Sequence, residues 1–319
     1  MKQRQLIAIC WAIAAGWAVC LPAEEPVTLR VMTFNLWHGG DAGKQPLEKS
    51  VEVIRRAQAD LVGLQETAGF AVEQNESRPD RAREIAEALG WHYFDQGGRT
   101  GVISRYPISE ATPNKWGARI QLPAAQQVYL FNCHLAHAPY QPYQLLGIPY
   151  HNGRFIKTEE EAIREARVAR GAQVERMLRD LRIAQKTGVP IFLTGDFNEP
   201  SHHDWTAAAV AAGHCPVRVV WPSSSAVTST GLADAFRAIH PDPVARRGLT
   251  WTPLTKITDP ADRHDRIDHV YYAPERAKAV SAQVLGEATD YADIVIENYP
   301  SDHRAVAVEF QLHAAADNR

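Results

Sequence analysis

Several apolar runs in this 319-residue chain stop on residues able to bind a cation, carry a proton or hold an anion. Val189-Pro190-Ile191-Phe192-Leu193 runs into Thr194-Gly195-Asp196-Phe197-Asn198-Glu199-Pro200. In an extended chain residues two apart point the same way, so Asp196 and Asn198 aim a carboxylate and a carboxamide together from one strand end. Ligands collect at the carboxyl ends of strands in α/β sheets; an Asx turn explains the same residues equally well. Gly195 lets the backbone approach whatever lies above the strand. Residues 61–64 form a second buried run, which stops on Gln65-Glu66-Thr67. A glutamate there is costly without a partner, commonly a cation, although a salt bridge or a helix cap would also serve Glu66. Val128-Tyr129-Leu130-Phe131-Asn132-Cys133-His134-Leu135 places Asn132 and His134 on one face, opposite Phe131 and Cys133. A histidine so placed is more often structural than catalytic.

The elements that must hold these groups alternate along the chain. Residues 27–35 read as a strand ending on Asn35, and 47–57 have helical spacing. A helix is expected at 81–89, a short strand at 101–104, and a hairpin of 118–122 and 127–135 joined by Pro123-Ala124-Ala125. Residues 137–152 read as a rigid loop rich in aromatic and proline residues, next to the candidate site. A long polar helix follows over 158–186, its inner face Ala162, Ala166, Ala169, Val174, Met177 and Leu181. Residues 205–212 read as another helix and 213–231 as irregular. Residues 266–272 alternate, placing Arg266, Asp268 and Val270 on one face, and Ser301-Asp302-His303-Arg304 enters an alternating terminal strand.

Composition narrows the function classes. Lys2 and Arg4 precede an uncharged run from Leu6 to Leu21, with Ala23 before Glu24-Glu25; this has the flanks of a signal peptide over residues 1–23 and is short for a membrane span. An exported protein, periplasmic or secreted, is expected, with one domain over 24–319 and no stable membrane span once the leader is removed. The net charge is −3, and losing Lys2 and Arg4 makes it more acidic. Such a chain is not built for salt-driven binding to a nucleic-acid backbone. Beyond the leader stand Cys133 and Cys215; an oxidising compartment permits a disulfide, and a buried free thiol fits Cys133 equally.

Taken together, Leu64-Gln65-Glu66-Thr67, Gly195-Asp196-Phe197-Asn198, Arg266-Ile267-Asp268 and Ser301-Asp302-His303 occur in the order that resembles the endonuclease/exonuclease/phosphatase superfamily, the deoxyribonuclease-I-like fold. The resemblance runs from Phe34-Asn35 to His303. It implies an α+β (α/β) sandwich, two packed mixed β-sheets flanked by helices on both outer faces, and hydrolysis of a phosphoester with a divalent metal. By the same resemblance Glu66 matches the main metal carboxylate, with Asn35 and Asp302 near it. Asp196 and Asn198 match the pair that position water and phosphate, and His134 a phosphate-oxygen ligand. His303 matches the catalytic histidine and Asp268 its orienting carboxylate. Trp37 stands where some members have an aspartate, which leaves one metal or two open.

Chemistry agrees on its own terms. Oxygen ligands without a nearby cysteine suit Mg²⁺, with Mn²⁺ or Ca²⁺ as substitutes. Asp268 bonded to His303 would favour imidazolium. The substrate expected is a small phosphorylated ligand held by Tyr140, Tyr143, Tyr150 and Trp221, taken by a monomer. A secreted non-specific nuclease, with nucleic acid as partner, is the first alternative, and a non-catalytic binding module on the same fold the second.

Overall fold

The computed structural model describes residues 27–71 and 76–313, so the leader read at 1–23 lies outside the described residues. Among the described residues, thirteen strands and seven α-helices follow one another. The first half holds β1 (Thr28–Asn35), α1 (Leu47–Arg56), β2 (Leu61–Gln65), α2 (Arg81–Leu89), β3 (His92–Gly97), β4 (Thr100–Ser104), β5 (Ile108–Ala111), β6 (Gly117–Gln121), β7 (Gln127–His134) and α3 (Gln141–Leu146). The second holds α4 (Glu159–Gln185), β8 (Ile191–Asp196), α5 (Ala207–Ala211), α6 (Pro222–Thr228), β9 (Ala233–Asp234), α7 (Ala235–Ile239), β10 (Asp268–Tyr272), β11 (Ala277–Gly286), β12 (Ile294–Val295) and β13 (Ala305–Leu312).

A seven-stranded sheet in the order β12-β11-β13-β1-β2-β4-β3 packs on a six-stranded sheet in the order β5-β6-β7-β8-β10-β9. Both are mixed: β1 runs parallel to β2 and β7 to β8, while β1–β13 and β8–β10 are antiparallel. Strand alternation builds the layers. Val31, Leu61, Leu130, Phe192, Val270 and Val308 turn inward to the core between the sheets. Met32, Phe34, Val62 and Leu64 turn outward beneath α1 and α2. Phe131, Cys133, Leu193 and Tyr271 turn outward beneath Met177 and Leu181 of α4. The architecture is the two-sheet sandwich with helices on both outer faces that the family resemblance implies.

Toward the end of the sandwich where the site lies, the inward positions change from apolar to polar. Gln65 Nε2 donates to Thr33 Oγ1 (3.1 Å) and Asn132 Oδ1 (2.6 Å), and Asn132 Nδ2 donates to Leu64 O (2.9 Å) and Gln96 Oε1 (2.8 Å). Thr33, Gln65, Asn132 and Thr194 are all fully buried, and this network ties the two sheets together under the site. Gly63 makes room for it, since a Cβ there would strike Thr194 Oγ1 and Asn132 Oδ1.

Some expectations are corrected by tertiary context. Residues 213–231 contain α6, capped by Glu199, whose Oε1 accepts from Ser223 N at 2.7 Å. The 137–152 loop contains α3. Ala169 is only partly buried, while Arg170 and Asp180 take fully buried places on α4. Arg170 reaches Gln141 Oε1 (2.5 Å) and Pro139 O (3.2 Å), and Asp180 accepts from the Thr112 hydroxyl (2.6 Å) and Asn114 Nδ2 (2.7 Å). Both charges are buried because they tie down neighbouring loops. Gly195 is needed against the Cys133 side chain on the neighbouring strand, on the face away from the site. Cys133 and Cys215 are both buried free thiols.

Candidate active site

Asn35, Asp196 and Asp268 leave the ends of β1, β8 and β10 on the inner side of the sandwich, as strand alternation requires. Glu66 and Asn198 do not come by alternation. Each lies just past a strand end, one residue after Gln65 and two after Asp196, with a left-handed backbone, φ +53° and +46°, which swings its side chain into the cleft. Trp37 and His38, at φ +55° and +53°, share this rare conformation. With Arg99 at φ +63°, five such residues around one cleft are strain held in place by the surrounding sheets. The Asx-turn reading of Asp196 and Asn198 also holds, because Asn198 N donates to Asp196 Oδ1 at 2.8 Å.

The side chains converge. Asn35 Nδ2 donates to Asp196 Oδ2 (3.0 Å) and Glu66 Oε1 (3.4 Å), while Trp37 N donates to Asn35 Oδ1 (3.0 Å). His38 N donates to Glu66 Oε2 at 3.2 Å. Asn198 Nδ2 donates to Asp196 Oδ2 and Leu135 O, both at 3.1 Å. His134 Nε2 stands 3.6 Å from Asp196 Oδ2 and 3.8 Å from Glu66 Oε1. His303 Nδ1 is 2.9 Å from Asp268 Oδ2, and its Nε2 is 3.8 Å from Asp196 Oδ2. The ring of Trp251 lies edge-on to His303, centroids 4.9 Å apart.

Electrostatics gives these groups different states. Burial works against a charged His303, but Asp268 and Asp196 outweigh it and hold its pKa well above the usual imidazole range. Burial pushes Asp196 up, opposed by His303 and reinforced by Asp268. Burial also pushes Glu66 up, yet His134, His303 and the His38 N–H outweigh it and keep it low. Asp302 is pushed up to about 7 by burial, with Glu66 and Asp196 adding to the rise. Its Oδ1 is buried without a hydrogen-bond partner. Crowded carboxylates with an orphaned oxygen are a site short of positive charge. A divalent cation fits that deficit, and Glu66, Asp302 and the amide of Asn35 form an oxygen donor set suited to Mg²⁺ or Mn²⁺. Asp196, Asp268 and His303 also offer ligand atoms all within 4.8 Å of one another. There, however, His303 Nδ1 is already engaged with Asp268.

Glu66, His134, Asp196, Asn198, Asp302 and His303 line a cleft of about 320 Å³, with Asn35 and Asp268 behind them, and the cleft also presents Arg99, His137, Tyr140, Tyr143, Tyr150 and Trp251. Tyr140 and Tyr143 are walls of this cleft, but their hydroxyls turn away to Asp265 Oδ2 (2.9 Å) and Asp262 Oδ1. Trp221 is not a wall. It is fully buried against Trp205 under the far end of α4, drawn there by apolar packing. Arg99 and Trp251 escaped sequence reasoning. Arg99 tips the β3–β4 hairpin, whose β3 partner has weak alternation, and Trp251 reaches the site by bridging to His303 from far along the chain.

A model of the endonuclease/exonuclease/phosphatase family matches residues 32–303. A Caenorhabditis elegans protein described as uncharacterized is 26% identical over 315 residues, spanning 88% of this chain and 91% of that one. An endonuclease/exonuclease/phosphatase structure from Beutenbergia cavernae has a TM-score of 0.55 at 19% identity, covering 90% of this chain and 72% of that chain. D. rerio TDP2, solved with a single-strand DNA product, has a TM-score of 0.52 at 16% identity, covering 89% and 99%. The structural likenesses carry the fold; the family match begins in β1 and ends on His303 itself, taking in every convergent side chain between Asn35 and that histidine, so the chain belongs to the endonuclease/exonuclease/phosphatase family.

Proposed function

We propose that this protein is an exported, divalent-metal-dependent phosphoester hydrolase acting on a compact phosphorylated substrate. The observation that carries the reading is His303, held by Asp268 on one nitrogen and turned toward Asp196 with the other. A histidine kept cationic in a buried cleft offers Nε2–H to a phosphoryl oxygen and stabilises the charge that builds on it. Asp196, oriented by Asn35 and Asn198 and raised by burial, suits removal of a proton from the attacking water. His134 adds a second donor on the same side of the cleft. When bound, a cation at Glu66 and Asp302 would supply charge neutralisation on the phosphoryl group.

The cleft volume, the aromatic wall and the chain's net charge of −3 favour a small ligand over a long duplex. Stacked bases also suit aromatic walls, and the fold is shared with TDP2 solved with a single-strand DNA product. A substrate panel of phosphomonoesters, phosphodiesters, phospholipids and nucleic acids therefore decides the class. Activity is expected to vanish in EDTA and in Glu66→Gln, with folding unchanged; full turnover by metal-free enzyme would refute the proposal. Tyr150→Ala, on the wall, should raise KM for a small phosphoester while sparing bis(p-nitrophenyl) phosphate. Robust plasmid degradation insensitive to that change would favour a nuclease. Because Asp268 acts through His303, His303→Ala/Asp268→Ala should be little slower than His303→Ala, and multiplicative losses would show separate roles. Amino-terminal sequencing of the exported protein tests removal of residues 1–23.

A further inference from the structure

Arg170 is fully buried in α4, and the reason lies in where its donors go. Nη1 donates to Gln141 Oε1 at 2.5 Å and Nη2 to Pro139 O at 3.2 Å, so the fork grips the residues on either side of Tyr140. Gln141 passes the grip on. Its Nε2 donates to Pro139 O (2.9 Å) and Gln144 Oε1 (3.1 Å), and Gln144 Nε2 donates to Arg154 O (2.7 Å). Further along α4, Gln173 Oε1 accepts from Ala136 N at 2.8 Å, which pins the start of the same loop. The rings follow the backbone that carries them. Tyr140 meets Tyr143 edge-on with centroids 5.0 Å apart, Tyr143 meets Tyr150 edge-on at 5.4 Å, and all three line the cleft.

Arg170 also faces the turn that carries the catalytic groups. Nη1 stands 3.8 Å from Glu199 Oε2, too far for a good hydrogen bond but close enough for charge to act in a buried place. Glu199 follows Asn198 directly and is itself fixed, its Oε1 accepting from Ser223 N and its carbonyl oxygen 3.2 Å from His269 Nε2. Loop and turn meet again at Leu135, whose N donates to Asp196 O and whose O accepts from Asn198 Nδ2. Burial lowers the pKa of Arg170, and Glu199, Tyr140, Asp196 and Tyr150 oppose the fall. An apolar side chain of similar volume often fills such a place with no loss of stability, so a guanidinium here points to geometry. A planar fork fixes two acceptors at once, which a single ammonium does not.

We propose that Arg170 is the positioning residue of the substrate wall: by gripping Pro139 and Gln141 beside Glu199, it sets the tyrosine stack at the distance from Asp196 and Asn198 that a compact substrate needs. Arg170 does not line the cleft and acts through Tyr140, Tyr143 and Tyr150. Its loss weakens binding and leaves the chemical step to His303 and Asp196. This role rests on the reading of the cleft as a site of phosphoester hydrolysis.

The test is steady-state kinetics of Arg170→Lys, which keeps the charge beside Glu199 and loses the fork, on the best small phosphoester of the panel and on bis(p-nitrophenyl) phosphate. KM for the small phosphoester is expected to rise about tenfold with kcat within a factor of about two, and bis(p-nitrophenyl) phosphate to be turned over as before. A fault in folding alone would lower kcat for both substrates by one factor and leave both KM values unmoved, because it removes active molecules without altering those that remain. Gln141→Leu, which takes away an acceptor from the loop side, should raise the same KM and covers the case in which the lysine variant melts early. The double variant should be little worse than Arg170→Lys. Hydrogen exchange reads the grip without turnover: the Ile148 and Gly153 amides, bonded to Tyr143 O and Tyr150 O, should exchange about tenfold faster in Arg170→Lys while those of β8 do not change. A wild type that hydrolyses nothing in the panel refutes the hydrolase reading, and the exchange rates then decide this role by themselves. A KM unchanged in both variants, a fall in kcat shared by both substrates, or unmoved exchange would overturn the proposal.

Discussion

Two clusters of buried charge stand on either side of Ile267, and they are built on opposite rules. In the first, Arg266 is closed on all sides. Its Nε and Nη2 donate to Asp204 at 3.0 Å, and its Nη1 and Nη2 donate to Asp234 at 3.1 and 2.7 Å. Arg237 adds Nε to Asp204 at 2.6 Å, and Asp234 also caps α7. Burial alone would push Asp204 and Asp234 up, yet Arg266 overrides it and both sit below the usual carboxylate range. In the second cluster burial is as deep, but Asp268 Oδ1 and Asp302 Oδ1 have no partner and Asp196 and Asp302 are pushed up. Saturated charges anchor the loop that delivers Asp268. Unsaturated charges wait for something outside the chain. The degree of saturation, and not burial itself, separates scaffold from site.

The largest effect expected is on catalysis. His303→Ala should cost about 10²- to 10⁴-fold in kcat/KM while leaving the melting temperature within a few degrees. Steady-state kinetics and thermal melts on one preparation check it; an equal collapse of stability would make His303 part of the scaffold.

Arg266→Met should show the reverse. It leaves Asp204 and Asp234 with too few cations, and breaking a buried pair this way costs roughly 3–5 kcal/mol. Denaturant unfolding is expected to show that loss, with near-normal kcat per folded molecule. If stability holds while kcat falls, the saturated cluster belongs to the site and the distinction fails.

This division explains what could be read from residue order. Strand alternation and short-range apolar patterns exposed β1, β2, β7, β8 and β13, and with them the inward ends at Asn35, His134 and Asp196. Alternation predicts Asn198 beside Asp196, but β8 ends at Asp196 and a positive φ, not an extended chain, brings Asn198 to the cleft; alternation would point Glu66 outward, and a positive φ turns it back as well. Contacts made at long range left no local trace. Trp221 and Tyr140 are both aromatic loop residues, and only packing decides that one joins Trp205 and the other the cleft. Arg170 is hidden in a polar helix and looks solvated until Gln141 and Pro139 are brought to it. β3, α6 and β11 lack strong alternation or sit in Ser- and Ala-rich sequence, and their partners, not their own residues, define them.

Next in size is an acid limb set by the scaffold side. His269 is fully buried between Phe197 and Tyr271, and burial, with Arg266 adding to it, lowers its pKa from 6.5 to about 4. The unfolded chain takes up that proton near pH 6.5 and the folded protein only near 4, so this contribution is complete above pH 6.5 and is lost as pH falls toward 4. The loss amounts to about 3 kcal/mol at most. Urea unfolding at a series of pH values should show the slope, and His269→Gln should flatten it. A slope unchanged in that variant would assign the limb to other groups, such as His202, whose pKa is also lowered to about 4.

The smallest effect is the most discriminating. Asp302 is 7% exposed, its Oδ1 is unpartnered, and Glu66 and Asp196 repel its charge. An unsaturated site of this kind is held at a cost to stability, the usual trade between function and folding. Asp302→Asn removes the charge at nearly constant shape, so the metal-free variant should be more stable than the wild type by ~1 kcal/mol, on the scale of a relieved buried charge. Adding Mg²⁺ should then raise the melting temperature of the wild type and leave that of the variant nearly unmoved, because ligand binding stabilises only the state that binds it. The two curves should therefore cross as Mg²⁺ is titrated in. A variant that is less stable than the wild type in EDTA would mean that Asp302 is already satisfied within the fold, and the cleft would then obey the same rule as the Arg266 cluster.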